Sequence, residues 1–375
     1  MNNKIKETIF LTITVIAMVF LCAYAKKNSA KEIIMPENFK LSKRLETLFL
    51  KTKIVCFGRY ALEVPQEAQL ISGGTTILSE IKTIPGGIKE KNERLAEEIE
   101  RIKKNDPTSE ITYNEKGPIE NSWQLQYYDG KFSKEDGRLI FKTYVIRGNH
   151  IFILDGSTRK GETIADSIRN QMVRANNLRL RDENEVPKEP GYCVKNGFMS
   201  DNKYDSQEMA DAGLYFPSFP DVTFSITANK NAYGDYPPAE YDAKVRGKLS
   251  LLARIQEAKD QQGKNYPPRT LLREGKRDVQ HWHGEESLIR RTDGVHDFEW
   301  TLVGTPRDIA YPAVLEASMY TKVAHNMVGA AEAASLTDEE AIALWDKLLS
   351  GLKFRVKVPG APPGSYYIDP DKPAQ

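Results

Sequence analysis

The sequence lacks an excess of charge of either sign. Its 53 lysine and arginine residues oppose 52 aspartate and glutamate residues, so the formal net charge is +1 at pH 7. It also lacks a dense run of basic residues. Proteins that bind nucleic acid need a basic surface to neutralise phosphates, so the sequence disfavours a nucleic-acid partner.

The sequence also lacks the motifs that most often identify an enzyme. It contains no Gly-x-Ser-x-Gly nucleophile elbow, no Walker A loop and no dinucleotide-binding fingerprint. Carboxylates are plentiful, but none are paired at a recognisable spacing. We therefore expect no catalytic residue, no cofactor and no metal, and a function that consists of binding another protein.

Histidine is scarce, with five residues, and two of them define an alternative function. His281 and His283 flank Trp282. On a strand, the two imidazoles would lie on one face, where Glu285 or Glu286 could add a carboxylate ligand for a metal ion. That arrangement would suit a metal-dependent hydrolase of the cell envelope. We favour the simpler interpretation, which is two exposed histidines around a packed tryptophan.

Long apolar runs are also lacking, apart from one at the N-terminus. The stretch from Ile9 to Tyr24 follows two lysines, and the small residues at positions 23 and 25 fit a cleavage site. This layout predicts a secretory signal peptide over residues 1–25. The alternative is an uncleaved signal anchor over residues 9–25, because ~17 apolar residues is the lower limit for spanning a bilayer. In both cases the rest of the chain lies outside the cytosol.

Cysteine is scarce as well. The sequence has three cysteines, and removal of the signal peptide would leave Cys56 and Cys193. Export permits a disulfide, and two cysteines allow one pairing. The alternative is two separate buried thiols, which behave as small apolar side chains. A disulfide would tie the start of one predicted domain to the start of the next.

Two α+β patterns follow one another along the chain. In each, alternating apolar residues predict strands and a 3.6-residue periodicity predicts helices. The predicted fold class is α+β, with two domains, each a mostly antiparallel sheet with helices packed on one face. The predicted boundaries are a polar tether over 26–50, an N-terminal domain over 51–180, a linker over 181–190, a C-terminal domain over 191–357 and a Pro/Gly-rich tail over 358–375.

Some elements have specific signals. Helices are predicted over residues 88–104, 162–176 and 241–258. Gly58 interrupts a strand pattern, which indicates a bulge or a close backbone approach. Gly148-Asn149 predicts a tight hairpin turn. Thr337 and Glu340 have the spacing of a capping box, which predicts the start of the last helix.

Aromatic residues cluster in loops that contain proline. The segment YFPSFP, at residues 215–220, contributes Tyr215, Phe216 and Phe219, and a second cluster contains Tyr233 and Tyr236. Aromatic side chains on rigid loops are the usual anchors of protein interfaces. These five residues are therefore candidate partner contacts. The alternative is that each loop packs against its own domain.

Four segments resemble a known family. They are CFGRYALEVP at residues 56–65, GYCVKNGF at 191–198, the SLT before the last helix at 335–337, and residues 345–354. In order and spacing they resemble immunity proteins that neutralise phospholipase effectors of the type VI secretion system. The resemblance spans about residues 50–357.

The resemblance implies a fold and a function. Such proteins have two α+β domains, arranged as a claw that grips the lipase near its lid and active-site cleft. It implies a cognate lipase effector as partner, no enzymatic activity and a periplasmic location. Contact with the membrane would occur only through an uncleaved N-terminal segment. A lipid-binding or structural envelope protein is a third hypothesis, which the lack of a basic amphipathic helix disfavours.

Overall fold

The structure is a computed structural model that describes residues 40–117, 119–158, 161–322 and 333–372. The predicted signal peptide over residues 1–25 lies outside these ranges, as does most of the predicted tether. Within the described ranges, no helix is long and apolar enough to cross a membrane.

Strands dominate the described residues. They are β1 Thr52–Phe57, β2 Tyr60–Pro65, β3 Gln69–Ile77, β4 Ser79–Pro85, β5 Glu110–Lys116, β6 Ser122–Tyr128, β7 Ile140–Arg147, β8 His150–Ser157, β9 Leu178–Leu180, β10 Gly191–Val194, β11 Gly197–Ser200, β12 Glu208–Tyr215, β13 Thr223–Asn229, β14 Arg269–Val279, β15 Trp282–Arg291, β16 His296–Val303, β17 Val314–Tyr320, β18 Leu352–Val356 and β19 Tyr366–Ile368.

Helices are fewer and mostly short. They are α1 Lys43–Leu48, α2 Ile88–Asn105, α3 Lys131–Glu135, α4 Ile164–Asn176, α5 Pro238–Glu240, α6 Gly247–Leu249, α7 Leu251–Gln262 and α8 Asp338–Ser350, with a π-helical turn at Tyr241–Arg246 and a 3₁₀ turn at Gly263–Asn265. The mixture of antiparallel sheets and few helices confirms the predicted α+β class.

One long antiparallel sheet runs through both halves of the chain. Its twelve strands follow the order β14-β15-β16-β17-β13-β12-β3-β4-β8-β7-β6-β5. The halves meet where β3 pairs with β12, from Gln69 opposite Tyr215 to Ile77 opposite Glu208. Two smaller sheets have the orders β1-β2-β18-β19 and β10-β11-β9. The sequence pattern indicated two domains but did not indicate that they share a sheet.

Helices cover both faces of the first half of the sheet. On one face, α2 contributes Leu95 and Ile102 to a small core. The sheet contributes Leu125, Tyr127, Tyr144 and Ile151 to the same core. On the other face, Gln171 of α4 donates from Nε2 to the carbonyl of Leu154 at 2.7 Å. Strand β7 explains this arrangement, because Tyr144 faces the α2 core whereas its neighbour Val145 belongs to the larger core on the opposite side.

The larger core contains side chains from the first strands of the chain and from its second half. Trp282, Trp300 and Trp345 are completely buried in it. Tyr60 of β2 lies 5.2 Å from Phe354 and 6.0 Å from Trp282, measured between ring centroids. The strands β1 to β3 therefore contribute side chains to the core of the second half.

The signals for turns and caps agree with the structure. Gly148-Asn149 forms a two-residue hairpin turn, with Arg147 opposite His150. The hydroxyl of Thr337 accepts from the Glu340 backbone and the Glu340 carboxylate accepts from the Thr337 backbone, which confirms the capping box.

The helix predicted over residues 241–258 is not continuous, so this prediction was wrong in detail. A π-helical turn and α6 are followed by Ser250, whose backbone is extended. Its hydroxyl accepts from Ala253 N at 3.4 Å and so starts α7. The apolar periodicity continues across the break, which is why the pattern predicted one helix. Serine is a preferred N-cap residue, and that signal was overlooked.

Candidate partner-binding cleft

A cleft of about 560 Å³ opens between the two halves of the molecule. We call it the interdomain cleft. One wall is α4, with Asn170, Val173 and Asn177 facing the opening. The opposite wall is the cleft loop, which we define as residues 201–207. The residues at the ends of β3 and β11 form the floor, so both halves of the chain contribute to the site.

The α4 wall is held by its buried face. Thr163 caps the helix, since its hydroxyl accepts from Asp166 N at 3.1 Å. Arg174 donates to the hydroxyl and the carbonyl of Ser79 at 2.9 and 3.2 Å, which ties the helix to the start of β4. Val173, the residue before Arg174, is left 48% exposed.

The cleft-loop wall is held by one buried arginine. Arg59 donates to both carboxylate oxygens of Glu208, at 2.8 and 2.7 Å, and to the Asp201 carbonyl at 3.1 Å. It also forms an ion pair with the Asp201 carboxylate. Its guanidinium carbon lies 4.3 Å from the ring centroid of Tyr204. Burial would lower the pKa of Arg59, but the attraction of Glu208 and Asp201 outweighs burial and raises it.

A lysine completes this ionic cluster. Lys230 donates from Nζ to the carbonyl of Tyr204 at 2.6 Å and lies 3.5 Å from a carboxylate oxygen of Glu208. Burial lowers the pKa of Lys230, and the Glu208 charge opposes that shift. Two cations and two carboxylates thus balance one another beneath the cleft loop, as buried charges must.

A second buried arginine holds the segment that leads to β10. Arg355 of β18 donates to the carbonyls of Pro187, Glu189 and Gly191, the last two at 3.0 and 2.9 Å. Burial lowers the pKa of Arg355 to about 10. Glu189 borders the interdomain cleft, so the segment predicted as a linker is fixed in place here.

A disulfide lies behind the cleft loop. Cys56 is bonded to Cys193, with Cα atoms 6.0 Å apart, and each cysteine is 2% exposed. Gly58 and Cys193 also exchange two backbone hydrogen bonds, at 2.8 and 2.7 Å. Gly58 has a φ of +52°, and a Cβ there would lie 2.7 Å from that of Ala210. This is the close backbone approach that the strand pattern indicated.

The interdomain cleft combines polar and apolar surface. Its exposed groups include the amides of Asn170 and Asn202 and the carboxylate of Asp205, and the Ser206 residue is half-buried. Such groups offer hydrogen bonds to a polypeptide, and Val173 adds a small apolar contact. The arrangement suits recognition of a protein surface.

The histidine pair does not form a shared site. His281 lies in the turn between β14 and β15, and its Nε2 is 3.0 Å from the carbonyl of Ala310. Burial lowers the pKa of His281. His283 is exposed and pairs with Asp278 at 2.9 Å. The pattern assumed one strand through both histidines, whereas the turn at Gln280 places them in different surroundings. Trp282 is packed as expected, but the expectation of two exposed histidines was wrong for His281, which is 9% exposed.

Across the described ranges, no group of three or more His, Cys, Asp or Glu residues is placed to hold a metal ion.

The aromatic candidates divide into two groups. Phe216 is 0% and Phe219 5% exposed, which favours the alternative that this loop packs against its own domain. A turn closed by Phe219 N and the Phe216 carbonyl at 2.9 Å directs both rings into the core. Tyr215 is half-buried, whereas Tyr233 and Tyr236 are 38% and 44% exposed. None of the five lines the interdomain cleft.

Sequence reasoning missed Arg59 and Arg355, which hold the cleft in shape. A signal was available, because each arginine interrupts an apolar strand pattern, CFGRYAL at 56–62 and LKFRV at 352–356. Arginine is almost never fully buried unless it is paired. The partners could not be read from the sequence, since they lie more than 140 positions away.

Fold and site together define a two-domain α+β protein with a cleft between its domains, whose walls are held by buried polar contacts. The N-terminal domain model of the Tle cognate immunity protein 4 family matches residues 53–186. The C-terminal domain model of the same family matches residues 185–357. The chain therefore belongs to the Tle cognate immunity protein 4 family, which confirms the resemblance seen in the four sequence segments.

Solved structures with the same fold include immunity proteins. The apo immunity protein TplEi of the type VI secretion system from Pseudomonas aeruginosa has a TM-score of 0.60 and 20% identity, covering 81% of this chain and 97% of that one. TplEi complexed with an "L" peptide has a TM-score of 0.60 and 21% identity, covering 82% and 99%. The Tle4–Tli4 complex gives 0.63 and 21%, covering 81% and 97%. No curated protein sequence matches the chain.

Proposed function

We propose that this protein is a periplasmic immunity protein that binds a cognate type VI secretion lipase effector and inhibits it. The interdomain cleft would receive a loop of the effector near its lid and active-site cleft, and the bound effector could not open on a membrane. The observation that carries this proposal is a cleft with walls from both family domains, each wall held by buried polar contacts.

The rigidity of the walls supports tight binding. A site that is already formed avoids the entropic cost of ordering loops on association, so more of the contact energy appears as affinity. Tight binding is what immunity requires, because a single free lipase molecule turns over many lipids. The amides and hydroxyls that line the interdomain cleft can pair with a polypeptide backbone.

The cysteines support a periplasmic location. Structural disulfides persist in oxidising compartments such as the bacterial periplasm and are rare in the cytosol. The bond between Cys56 and Cys193 is consistent with export by the predicted signal segment. A lipase that attacks phospholipids from the periplasmic side would meet its inhibitor there.

The decisive test uses the lipase itself. Residues 26–375, tagged and used as bait in a lysate of the source organism, should recover one lipase. Its hydrolysis of phospholipid vesicles should then fall to background at an equimolar ratio. Recovery of no lipase while the secretion system is expressed, or full activity in the complex, would reject the proposal.

A pair of variants locates the binding site. Val173→Arg places a large charge on the α4 wall and should abolish inhibition, since Val173 faces the interdomain cleft and is exposed enough for the fold to survive. Leu50→Arg is the matched control, because Leu50 is 78% exposed and lies outside that cleft. Equal inhibition by both variants would place the effector elsewhere.

A further inference from the structure

Arg59 reaches from one family domain into the other. It occupies the two-residue turn of the β1–β2 hairpin and is 3% exposed. Asp201 and Glu208, its carboxylate partners, lie within the C-terminal family match. A charge buried this deeply is tolerated only while it is paired. The hairpin tip and the cleft loop therefore form one electrostatic unit.

The cleft loop has no strand pairing of its own, since β11 ends at Ser200 and β12 begins at Glu208. Arg59 instead contacts it at three places, namely Asp201 at one end, the ring of Tyr204 in the middle, and Glu208 directly after it. Lys230 adds one hydrogen bond, to the carbonyl of Tyr204. Without Arg59, the loop would keep the Lys230 hydrogen bond, the packing of Tyr204 on the large core, and one backbone hydrogen bond near each end, from Asp201 to Pro190 and from Leu78 to Gln207.

The disulfide fixes the hairpin tip from behind. Cys56 stands three positions before Arg59, and the bond joins this end of β1 to Cys193 of β10. Gly58, next to Arg59, is held against the same strand by its two hydrogen bonds with Cys193. While the bond is intact, the hairpin cannot move away from β10 and draw Arg59 out of the cleft loop.

We propose that Arg59 is a positioning residue for effector binding, and that the Cys56–Cys193 disulfide holds Arg59 in place. Oxidation of these cysteines then raises affinity for the effector. The bond forms when the two thiols pass two protons and two electrons to a disulfide-bearing oxidant, which becomes a dithiol. This inference rests on the proposed function, because it assigns the interdomain cleft to the effector.

Hydrogen exchange tests the positioning role without any effector. Arg59→Lys keeps the charge but loses the planar fork that binds Glu208 at two points. Amide exchange in residues 201–207 should become about tenfold faster in Arg59→Lys and in the double variant Cys56→Ala/Cys193→Ala. Arg273→Lys is the matched control, because the Arg273 side chain is 9% exposed and also paired with carboxylates, but lies on β14, five strands away from β12.

Affinity tests the link to function. The lipase that the wild-type chain recovers serves as the probe, at a temperature where circular dichroism shows every variant to be folded. Arg59→Lys and the double cysteine variant should bind it about tenfold more weakly, mainly through faster dissociation. Arg273→Lys should bind like the wild type even if its melting temperature falls.

The two measurements separate the possible failures. Unchanged exchange in residues 201–207 in both variants would overturn the positioning role, whether or not a lipase is found. Faster exchange with unchanged affinity would also overturn the proposal, because the cleft loop would then not contact the effector. If the wild-type chain binds no lipase, the proposed function fails, and the exchange result still decides what holds the loop.

Discussion

The two ends of the long sheet are stabilised in different ways. The end formed by β5 to β8 has a small apolar core under α2, in which six side chains are buried. The end formed by β12 to β17 packs on a large core that contains the completely buried Trp282, Trp300 and Trp345. The large core also takes in β1 and β2, from the beginning of the chain. The first two strands of the chain therefore pack with the second half of the molecule, although they come before the first half of the long sheet in sequence.

This difference explains how the interdomain cleft is built. The β1–β2 hairpin belongs to the N-terminal family match but packs with the C-terminal core, and its tip carries Arg59. The cleft loop is thus positioned by a residue from the other family domain. The comparison predicts that the second family domain loses its fold when it is separated from the first. Substitutions inside the first family domain should have smaller effects on stability.

The largest effect is expected from removing the first strands. Residues 185–357 alone should fail to fold, since the large core would lose Tyr60 and its neighbours on β1 and β2. Circular dichroism and denaturant titration of this fragment should show no cooperative transition. A fragment that unfolds cooperatively at moderate denaturant would show that the second half closes its own core.

The disulfide should have the next largest effect. Cys56→Ala/Cys193→Ala should lower the free energy of unfolding by up to about 5 kcal/mol, because the bond closes a loop with a sequence separation of 137. Urea titrations of the variant and the oxidised wild type measure the difference. A loss below about 1 kcal/mol would mean that the backbone contacts of Gly58 alone hold the hairpin.

Matched truncations compare the two cores directly. Trp345→Ala should cost about 3–5 kcal/mol and accelerate hydrogen exchange throughout the large core. Leu125→Ala should cost about 2–5 kcal/mol, with faster exchange concentrated in β5 to β8. Identical exchange patterns for the two variants would show that the sheet opens as a single unit, which would contradict the contrast drawn between its two ends.

The smallest effect concerns the acid sensitivity of the last helix. The hydrogen bond from Arg44 is the main cause that lowers the pKa of Glu340 from 4.5 to about 2. A lowered carboxyl pKa stabilises the fold above pH 4.5, and this contribution is lost as the pH falls from 4.5 to about 2. Glu340→Gln should therefore cost about 1 kcal/mol at pH 7 and nothing near pH 2.

The control for this prediction is the neighbouring Glu339→Gln, since Glu339 is exposed. Urea titrations of both variants from pH 7 to pH 2 would make the comparison. A Glu340→Gln penalty that stays constant over this range would contradict the role of the ionised carboxylate.

Local features of the fold could be predicted from the sequence. Helix α2, the turn at Gly148-Asn149 and the capping box at Thr337 each depend on residues within a few positions of one another. Features that depend on distant residues could not. The pairing of β3 with β12 and the contacts of Arg59 each join segments more than 130 positions apart, and nothing in either segment identifies the other.

The candidate site shows the same division. Exposed loop aromatics were a reasonable choice for a partner surface, yet Phe216 and Phe219 turn inward because a tight turn lies between them. The cleft residues are mostly polar, and such residues carry no pattern until the fold brings α4 and the cleft loop together.

Hydrogen exchange of the full chain, with and without its lipase, tests the central claim most directly. The account predicts strong protection on binding in residues 170–177 of α4 and its C-terminal end and in the cleft loop at 201–207. Protection confined to other surfaces, such as the exposed Tyr233 and Tyr236 loop, with no change at those two walls, would contradict it.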